Sequence, residues 1–394
     1  MKPIKKSNRT RILEYIFRNA PVSRATIAEQ TDITPATVTT TIAELISEQI
    51  IVDLGEVEQN DNTPGRKRVL IDLNHDYGYA IGIEFNEKHV SFCITNLKGK
   101  IIEESIFLTT YHEISNITEF IIENVEILVQ KKQDIKDKIL GIGIGVPGKI
   151  NNNNKELFSD SNVWKCFFPE QIKERFKLPV VMDNNVKCMA MGIYLFEPQK
   201  SPENFSFFHL GIGMYCANVI NGELFKGENY ISGEIGHTIV KVDGKSCECG
   251  KNGCLNTYAS ERWLIKMARI LIKNNASVIL DSLVKNDEEI NIEHIITAYN
   301  LGDEVIRQYI LEALKYLSMT ISNLSIIINP TKIFLHGRLF EEDTIFKQFQ
   351  VYIEKDLNFI GDNYFSNIEP VRYRTINGAV GASARVIDAY FINE

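Results

Sequence analysis

The first 47 residues carry apolar side chains at helical spacing, interrupted twice by turn-forming residues. The first predicted helix spans Asn8–Asn19, and a short second helix spans Arg24–Gln30 after the candidate N-cap Ser23. Thr34 caps a third helix, with Pro35 at its first position, where proline is well tolerated. The predicted buried positions are Ile12, Leu13, Ile16 and Phe17, then Ile27 and Ala28, then Val38, Ile42, Leu45 and Ile46.

The opposite face of the third helix is small and polar, and it includes Ala36, Thr37, Thr40 and Glu44. A short helix, a tight turn and a helix with such a face are typical of a helix-turn-helix, whose last helix enters the major groove. Threonine can bond to base edges or phosphates, and its methyl group can contact that of thymine. We therefore predict that Thr37 and Thr40 contact DNA. The alternative is a solvated face that contacts nothing.

Two strand-like runs follow, Ile50–Gly55 and Arg68–Leu73, on either side of a polar loop. This pattern predicts a β-wing, which makes residues 1–74 a winged helix-turn-helix domain. The loop ends in Arg66, Lys67 and Arg68, which suit a phosphate backbone or an A·T minor groove. The alternative for this basic segment is a plain hinge.

From Gly78 onward the pattern becomes rich in strands and then repeats itself. Three strands, a helix and a strongly apolar strand are predicted over Tyr79–Phe85, His89–Asn96, Lys100–Thr109, Ile114–Gln130 and Ile139–Gly148. Three more strands follow at Phe205–Leu210, Met214–Ile220 and Gly222–Phe225, then a long helical region over Leu301–Ile328, a strand at Lys332–Gly337 and a last helix at Ala379–Phe391. The chain is therefore predicted to be an α/β protein with a duplicated body.

Charge and cysteine content narrow the class of protein. The net charge is −8, yet seven basic residues face only Glu14 between Met1 and Arg24, a local balance of +6. A basic patch on an acidic protein suits a small DNA-reading domain on a larger regulatory body. The seven cysteines lack disulfide-like spacing, and we find neither a signal peptide nor an apolar stretch of about 18 residues. We therefore expect a cytoplasmic protein with no membrane partner.

One imidazole and three thiols lie within eighteen residues, at His237, Cys247, Cys249 and Cys254. Three thiolates and one imidazole form a closed tetrahedral ligand set for a structural zinc ion, and they leave no open position for a catalytic one. Glycines between them allow the short loop to fold back on itself. The alternative is a group of free, reduced cysteines. We expect one structural Zn²⁺ per chain.

The motif Gly233-Glu-x-Gly-His237, followed by Cys-x-Cys-Gly-x-x-Gly-Cys-Leu255, resembles the signature of the ROK family of repressors and sugar kinases. The resemblance implies a two-lobed sugar-kinase/actin-like (ribonuclease H-like) body with a zinc insertion and a cleft between its lobes. It implies a first lobe of residues 75–189 plus 379–394 and a second lobe of residues 190–378. The basic segment before the body also resembles the linker of ROK repressors.

The positions that serve ATP in ROK kinases depart from the family pattern. The Asp-x-Gly-Gly-Thr turn is replaced by Glu84-Phe-Asn-Glu-Lys88, without glycine and with two carboxylates that would repel a nucleotide. Gly143-Ile-Gly-Val-Pro-Gly148 is retained, but the late Gly-Gly is His336-Gly337. The catalytic aspartate is replaced by Asn185, whose amide cannot act as a general base. We expect no ATP and no phosphoryl transfer.

The positions that contact sugar in the family are better preserved. By resemblance, the predicted sugar-binding residues are Asn162, Asn184, Asn185, Glu234, His237 and Asn256. Asn256 stands where the family has a glutamate, which leaves the identity of the ligand open. His237 would bind zinc through one ring nitrogen and a sugar hydroxyl through the other. For each residue the alternative is an ordinary satisfied polar group.

These features together predict a sugar-responsive transcriptional regulator, most simply a repressor of carbohydrate-use genes. Its partners would be a double-stranded DNA operator with an inverted repeat, a small carbohydrate and a second copy of the chain in a homodimer or larger homo-oligomer. The first alternative is an ATP-dependent sugar kinase with an appended DNA-binding domain. The second is a zinc-stabilised interaction scaffold without a ligand.

Overall fold

The computed structural model describes residues 6–56, 69–151, 156–158, 165, 167–228, 231–358 and 367–393. The chain divides into two compact units. The first contains Met1–Ser201 and Thr375–Glu394, and the second contains Pro202–Arg374.

The N-terminal part of the first unit is a winged helix-turn-helix, as the sequence predicts. Its elements are α1 (Asn8–Asn19), β1 (Val22–Ser23), α2 (Arg24–Thr31), α3 (Pro35–Ser47), β2 (Ile51–Glu56) and β3 (Val69–Leu73), with the strands in the order β1-β3-β2. The side chains of Ser7, Ser23 and Thr34 each accept a bond from a backbone N–H in the first turn of a helix. Such caps satisfy groups that have no partner within the helix.

The buried stripe of α3 differs from the predicted one at one position. Thr41 is buried beside Val38, Ile42 and Leu45, whereas Ile46 is only partly buried. In α2, Ala28 is likewise half-buried, whereas Thr31 is buried and its hydroxyl donates to the carbonyl of Ile27 at 2.6 Å. A threonine whose hydroxyl bonds to its own helix, such as Thr31, can therefore be buried.

The rest of the first unit is a five-stranded sheet covered by helices. Its elements are β4 (Tyr79–Phe85), β5 (Val90–Asn96), β6 (Ile101–Phe107), α4 (Ile117–Lys131), β7 (Ile139–Val146), β8 (Lys149–Asn151), β9 (Glu156–Phe158), α5 (Pro169–Phe176), β10 (Val180–Asn184) and α6 (Asn185–Phe196). The strand order is β10-β7-β4-β5-β6, and β8 and β9 form a separate hairpin. Strands β4 to β6 are antiparallel, and β7 and β10 run parallel to β4.

The second unit repeats this plan. Its elements are β11 (Phe205–Leu210), β12 (Met214–Ile220), β13 (Glu223–Leu224), α7 (Asn256–Ala259), α8 (Glu261–Lys273), α9 (Val278–Leu283), α10 (Ile292–Asn300), α11 (Glu304–Ile328), β14 (Lys332–His336), α12 (Arg338–Glu341), α13 (Asp343–Leu357) and β15 (Ile368–Val371). The strand order is β13-β12-β11-β14-β15, with the first three antiparallel and the last two parallel to β11. The predicted duplication is confirmed.

The last helix, α14 (Asn377–Ile387), returns to the sheet of the first unit and continues into a π-helical turn over Asp388–Ile392. It packs so closely that a Cβ atom at Gly82 would overlap the carbonyl oxygen of Ala379, and one at Gly143 would overlap that of Ala382. Two glycines of the sheet therefore allow contact between backbones.

One helix among the described residues, α11, is long and apolar enough to cross a membrane by length and composition alone. Its most apolar window is 56% buried within the protein. Residues such as Ile310, Leu314 and Leu317 are fully buried in the core of the second unit. This burial is the usual property of a core helix.

Candidate functional site

The four predicted metal ligands form one cluster in the second unit. The ligand atoms of His237, Cys247, Cys249 and Cys254 all lie within 4.8 Å of one another. The His237 Nδ1 atom is 3.6 Å from the Cys247 sulfur, and the sulfurs of Cys249 and Cys254 are also 3.6 Å apart. Zinc–sulfur bonds of about 2.3 Å in a tetrahedron imply sulfur separations of about 3.8 Å. The group can therefore hold a metal ion.

A glycine with positive φ and a backbone hydrogen bond shape the loop that carries these ligands. Gly253 has a φ of +78°, and a Cβ atom there would overlap the carbonyl oxygen of Lys241. The amide of Cys247 donates to the carbonyl of Lys251 at 2.9 Å. Burial and the neighbouring thiols Cys249 and Cys247 raise the pKa of Cys254 to about 12. Without a cation, this arrangement disfavours the thiolate that a metal would need.

Two predicted sugar-binding residues lie close to this cluster along the chain. Asn256 begins α7 two residues after Cys254, and its side chain contacts the Cα region of Gly236. The Asn256 Oδ1 atom is buried and has no hydrogen-bond partner among the described residues. Glu234 is half-buried, and its carboxylate has no partner in the described part of the chain. The arrangement leaves two acceptors available to hydroxyl groups.

In the first unit, Asn184 and Asn185 lie at the junction of β10 and α6. The Asn184 side chain accepts bonds from the backbone of Val186 and Lys187 and donates to the carbonyl of Gly148 at 3.0 Å. The Asn185 side chain donates to a Glu84 carboxylate oxygen at 3.1 Å. Asn184 therefore caps α6, whereas Asn185 links α6 to β4.

Glu84 lies near the end of β4, in the segment that by resemblance replaces the Asp-x-Gly-Gly-Thr turn of ROK kinases. Its side chain is only 1% exposed, and it lies 3.4 Å from Nε2 of the buried His89. The Asn86 side chain accepts from the backbone amides of Lys88 and His89, both at 2.8 Å. Of the two carboxylates expected to repel a nucleotide, Glu84 is thus buried inside the turn. Only Glu87 is partly exposed.

A second position of the nucleotide-side motif is filled by a buried ring. His336 ends β14 and is 1% exposed, with its Nδ1 atom 2.8 Å from Nδ1 of His209. The His336 ring also stacks on Tyr373, with the ring centroids 5.2 Å apart. His336, which by resemblance stands in place of a glycine of ROK kinases, is therefore held between two aromatic rings.

The predicted DNA-binding residues fall into two groups. Thr40 is exposed on α3, and Thr37 is half-buried, with its hydroxyl 2.9 Å from that of the N-cap Thr34. Arg66, Lys67 and Arg68 lie outside the described residues, as does the predicted sugar-binding residue Asn162.

Three residues next to these sites were not predicted from the sequence to be near them. Thr39 is exposed on α3 next to Thr40, although helical spacing did not place it on the outer face. Asn86 and His89 build the turn around Glu84. A histidine three residues after an asparagine at a strand end is the only local signal, and it does not identify the buried glutamate.

Comparisons with known proteins agree with this architecture. Residues 6–52 match a winged helix-turn-helix DNA-binding family. The xylose repressor of Caldicellulosiruptor bescii is 29% identical over 98% of this chain and 96% of its own length. The regulator NagC of Escherichia coli is 25% identical over 87% of this chain and 83% of its own length.

Two solved structures share the fold. A ROK family transcriptional regulator, a homologue of the E. coli MLC protein, aligns with a TM-score of 0.75 at 22% identity over 98% of this chain and 96% of its own. A ROK hexokinase from Thermus thermophilus aligns with a TM-score of 0.62 at 16% identity over 78% of this chain and 97% of its own. The ROK family profile matches residues 80–389, so this chain belongs to the ROK family.

Proposed function

We propose that this protein is a sugar-responsive, DNA-binding transcriptional repressor whose kinase-like body senses a sugar without phosphorylating it. The proposal is supported by the winged helix-turn-helix together with Asn185 at the position where, by resemblance, ROK kinases have the catalytic aspartate. Relatives along most of the chain are named as xylose or N-acetylglucosamine repressors.

A kinase is the less favoured function because Asn185 stands where, by resemblance, the family has the aspartate that takes the proton from a sugar hydroxyl. The Asn185 amide is not basic, and it already donates to Glu84. Glu84 is nearly fully buried and paired with His89, so it is a poor substitute for the missing aspartate. His336 adds a buried ring at the nucleotide-side motif.

We assign sugar recognition to the polar residues retained from the family motifs. Glu234 and Asn256 offer acceptors without partners among the described residues, which suits sugar hydroxyl donors. Asn185 can present its remaining amide hydrogen to a sugar oxygen. Asn184 contributes by capping α6, and so by positioning Asn185. His237 and Asn162 complete the proposed set.

The metal in the Cys3His cluster is proposed to be one zinc ion with a structural role. Three thiolates and an imidazole suit Zn²⁺ and leave no open position on a four-coordinate ion. His237 faces the cluster through Nδ1, so its Nε2 atom remains for a sugar hydroxyl. The zinc would thus fix the loop and orient the imidazole.

DNA recognition is assigned to residues 1–74, and sugar sensing to the rest of the chain. Thr37 and Thr40 on α3 would contact bases, and Arg66, Lys67 and Arg68 would contact phosphates or a minor groove. A dimer presents two recognition helices related by two-fold symmetry. We therefore propose an inverted-repeat operator.

A thermal-shift screen tests the sugar-binding part of the proposal. D-xylose, N-acetylglucosamine, glucose and their phosphates would each be added to the zinc-loaded protein. A ligand at 100 times its Kd stabilises the folded state by about 2.7 kcal/mol, which raises the Tm by several degrees. Glu234→Gln should abolish the shift for the sugar that binds. If no sugar or sugar phosphate shifts the Tm, the protein is not a sugar sensor.

A further inference from the structure

The end of α1 is held against the rest of the first unit by a specific set of contacts. The Arg18 guanidinium lies 4.0 Å from the ring centroid of Tyr194, and its Nη2 atom donates to the Ser201 carbonyl at 2.6 Å. The Lys98 ammonium donates to the Phe17 carbonyl at 2.8 Å. We call Lys98, Tyr194, Ser201 and Phe391 the α1 seat.

The α1 seat is itself well ordered by packing. Tyr194 and Ser201 are both 3% exposed, and the Ser201 hydroxyl donates to the Glu197 carbonyl at 3.1 Å. Phe391 meets the fully buried Phe17 edge to face, with ring centroids 6.5 Å apart. A cation over an aromatic ring and a buried aromatic pair are directional contacts. Movement of the seat would therefore be transmitted to α1.

Tyr194 of the seat lies in α6, and Phe391 lies in the turn that follows α14. The first turns of these two helices lie close together. Helix α6 starts at Asn185 and ends next to Tyr194, and α14 leads into the turn that carries Phe391. At the other end, Glu84 accepts from Asn185 and packs so tightly on α14 that a Cβ atom at Gly378 would overlap its carboxylate. Glu84 thus touches the first turns of both helices.

The two helices are also locked together along their length. A Cβ atom at Gly192 of α6 would lie 3.2 Å from the Cα atom of Gly381 of α14, and one at Gly381 would overlap the backbone of Cys188. All residues from Val186 to Leu195 are buried, so α6 has no solvent-exposed turn that could absorb a displacement. Close-packed interiors transmit such shifts rather than damping them.

We infer that α6 and α14 act as one rigid element that couples a sugar at Asn185 to the orientation of the DNA-binding domain through the α1 seat. This inference rests on the proposed function, since it requires both ligands. Arg18 is a positioning residue in this scheme and touches neither the sugar nor DNA. Coupling requires that the sugar prefer one of two arrangements of this element.

The test measures the ratio of DNA affinities with and without sugar in matched variants. The DNA is a fragment selected from a random library by the wild-type protein, and the sugar is D-xylose or N-acetylglucosamine, whichever raises the Tm. Coupling in the wild type should be about fivefold or more. Arg18→Ala and Tyr194→Leu should each bring the ratio to within about twofold of one while keeping the affinities for sugar alone and for DNA alone. Arg9→Ala, whose side chain pairs with Glu48 inside the winged helix, should leave the ratio unchanged.

Hydrogen exchange supplies a second readout. On sugar addition, amides of both α6 and α1 should change protection in the wild type, and only those of α6 should change in Arg18→Ala. Full coupling in both seat variants would overturn the inference and leave the proposed function intact. A wild type that binds DNA with the same affinity with and without either sugar would overturn both.

Discussion

The side-chain amide of Asn185 donates to a carboxylate oxygen of Glu84 at 3.1 Å, in a site where Glu84 is 1% exposed. Glu84 also lies 3.4 Å from Nε2 of His89. The amide at position 185 therefore does more than remove a potential base. It is also the neutral partner that allows a buried carboxylate to stay in place.

This pairing predicts that Asn185→Asp will not restore a kinase. Two carboxylates at about 3 Å cannot both ionise in a buried site, so the pKa of one of them must rise. A carboxyl group whose folded pKa is raised is stabilising below its ordinary pKa of about 4 and loses that contribution as the pH increases. Urea unfolding should show the variant to be less stable at pH 8 than at pH 5, relative to wild type.

The control for this variant is Glu84→Gln combined with Asn185→Asp, which leaves one carboxyl group in the pair. Its stability at pH 8 should recover most of the deficit. ADP production should stay at the blank level in both variants with every sugar that binds. Sugar-dependent ADP production by the wild-type protein would contradict the assignment of Asn185.

The proposed zinc site predicts a specific effect of cysteine replacement. Cys249→Ser should lower zinc well below one ion per chain and lower the Tm by several degrees, because binding energy of a structural zinc is folding energy. Cys216→Ser is the matched control, since its side chain is near Asn218 in β12 and lies outside the cluster. Elemental analysis and differential scanning calorimetry measure both quantities. Equal zinc content in the two variants would rule out Cys249 as a ligand.

Replacing Gly143 in β7 tests whether this glycine is needed for packing or only for phosphate binding. Gly143 belongs to the motif that binds phosphate in ATP-using relatives, yet a Cβ atom there would overlap the carbonyl oxygen of Ala382 in α14. Gly143→Ala should therefore destabilise the protein by more than about 3 kcal/mol in the absence of any nucleotide. Gly213→Ala, where nothing lies within 4 Å of the added atom, should cost less than about 1 kcal/mol. A stable Gly143→Ala variant would contradict the packing role.

Replacing the two groups of proposed DNA-binding residues should affect DNA binding in different ways. Thr40→Ala should weaken binding to the selected operator by about 1 kcal/mol, or roughly fivefold, and should hardly affect random DNA. Ser47→Ala, at the exposed end of α3, is its control. Replacing Arg66, Lys67 and Arg68 with alanine should weaken binding to both DNAs. It should also reduce the slope of log K against log salt concentration by about one for each phosphate that the variant no longer neutralises. An unchanged salt slope would make the segment a hinge.

Features set by neighbouring residues were predictable from the sequence. The caps at Ser23 and Thr34 and the Cys3His cluster depend on residues that are close along the chain, so their types and spacing define them. The repeated strand order was also readable, because strand and helix periods differ.

Contacts between distant segments could not be predicted in this way. Asn185 and Glu84 are 101 residues apart, and Arg18 and Ser201 are 183 residues apart. Glu84 is buried partly because α14 packs against it, and the sequence around Glu84 does not indicate this contact. Even within one helix, periodicity was not sufficient: in α3, Thr41 is buried and Ile46 is not. The elements packed against the helix decide which of its side chains are buried.

We propose that this protein binds a specific DNA sequence and changes its affinity for that sequence when a sugar binds. Fluorescence anisotropy titrations measure this directly, with a labelled DNA fragment selected by the protein from a random library. We predict that the selected sequence is an inverted repeat and that the sugar identified by thermal shift changes its Kd by about fivefold or more. The same sugar should leave the Kd for a scrambled fragment unchanged. If a sugar binds the protein but leaves the operator Kd unaltered, or if the protein does not prefer the selected DNA over the scrambled fragment, it is not a sugar-responsive regulator.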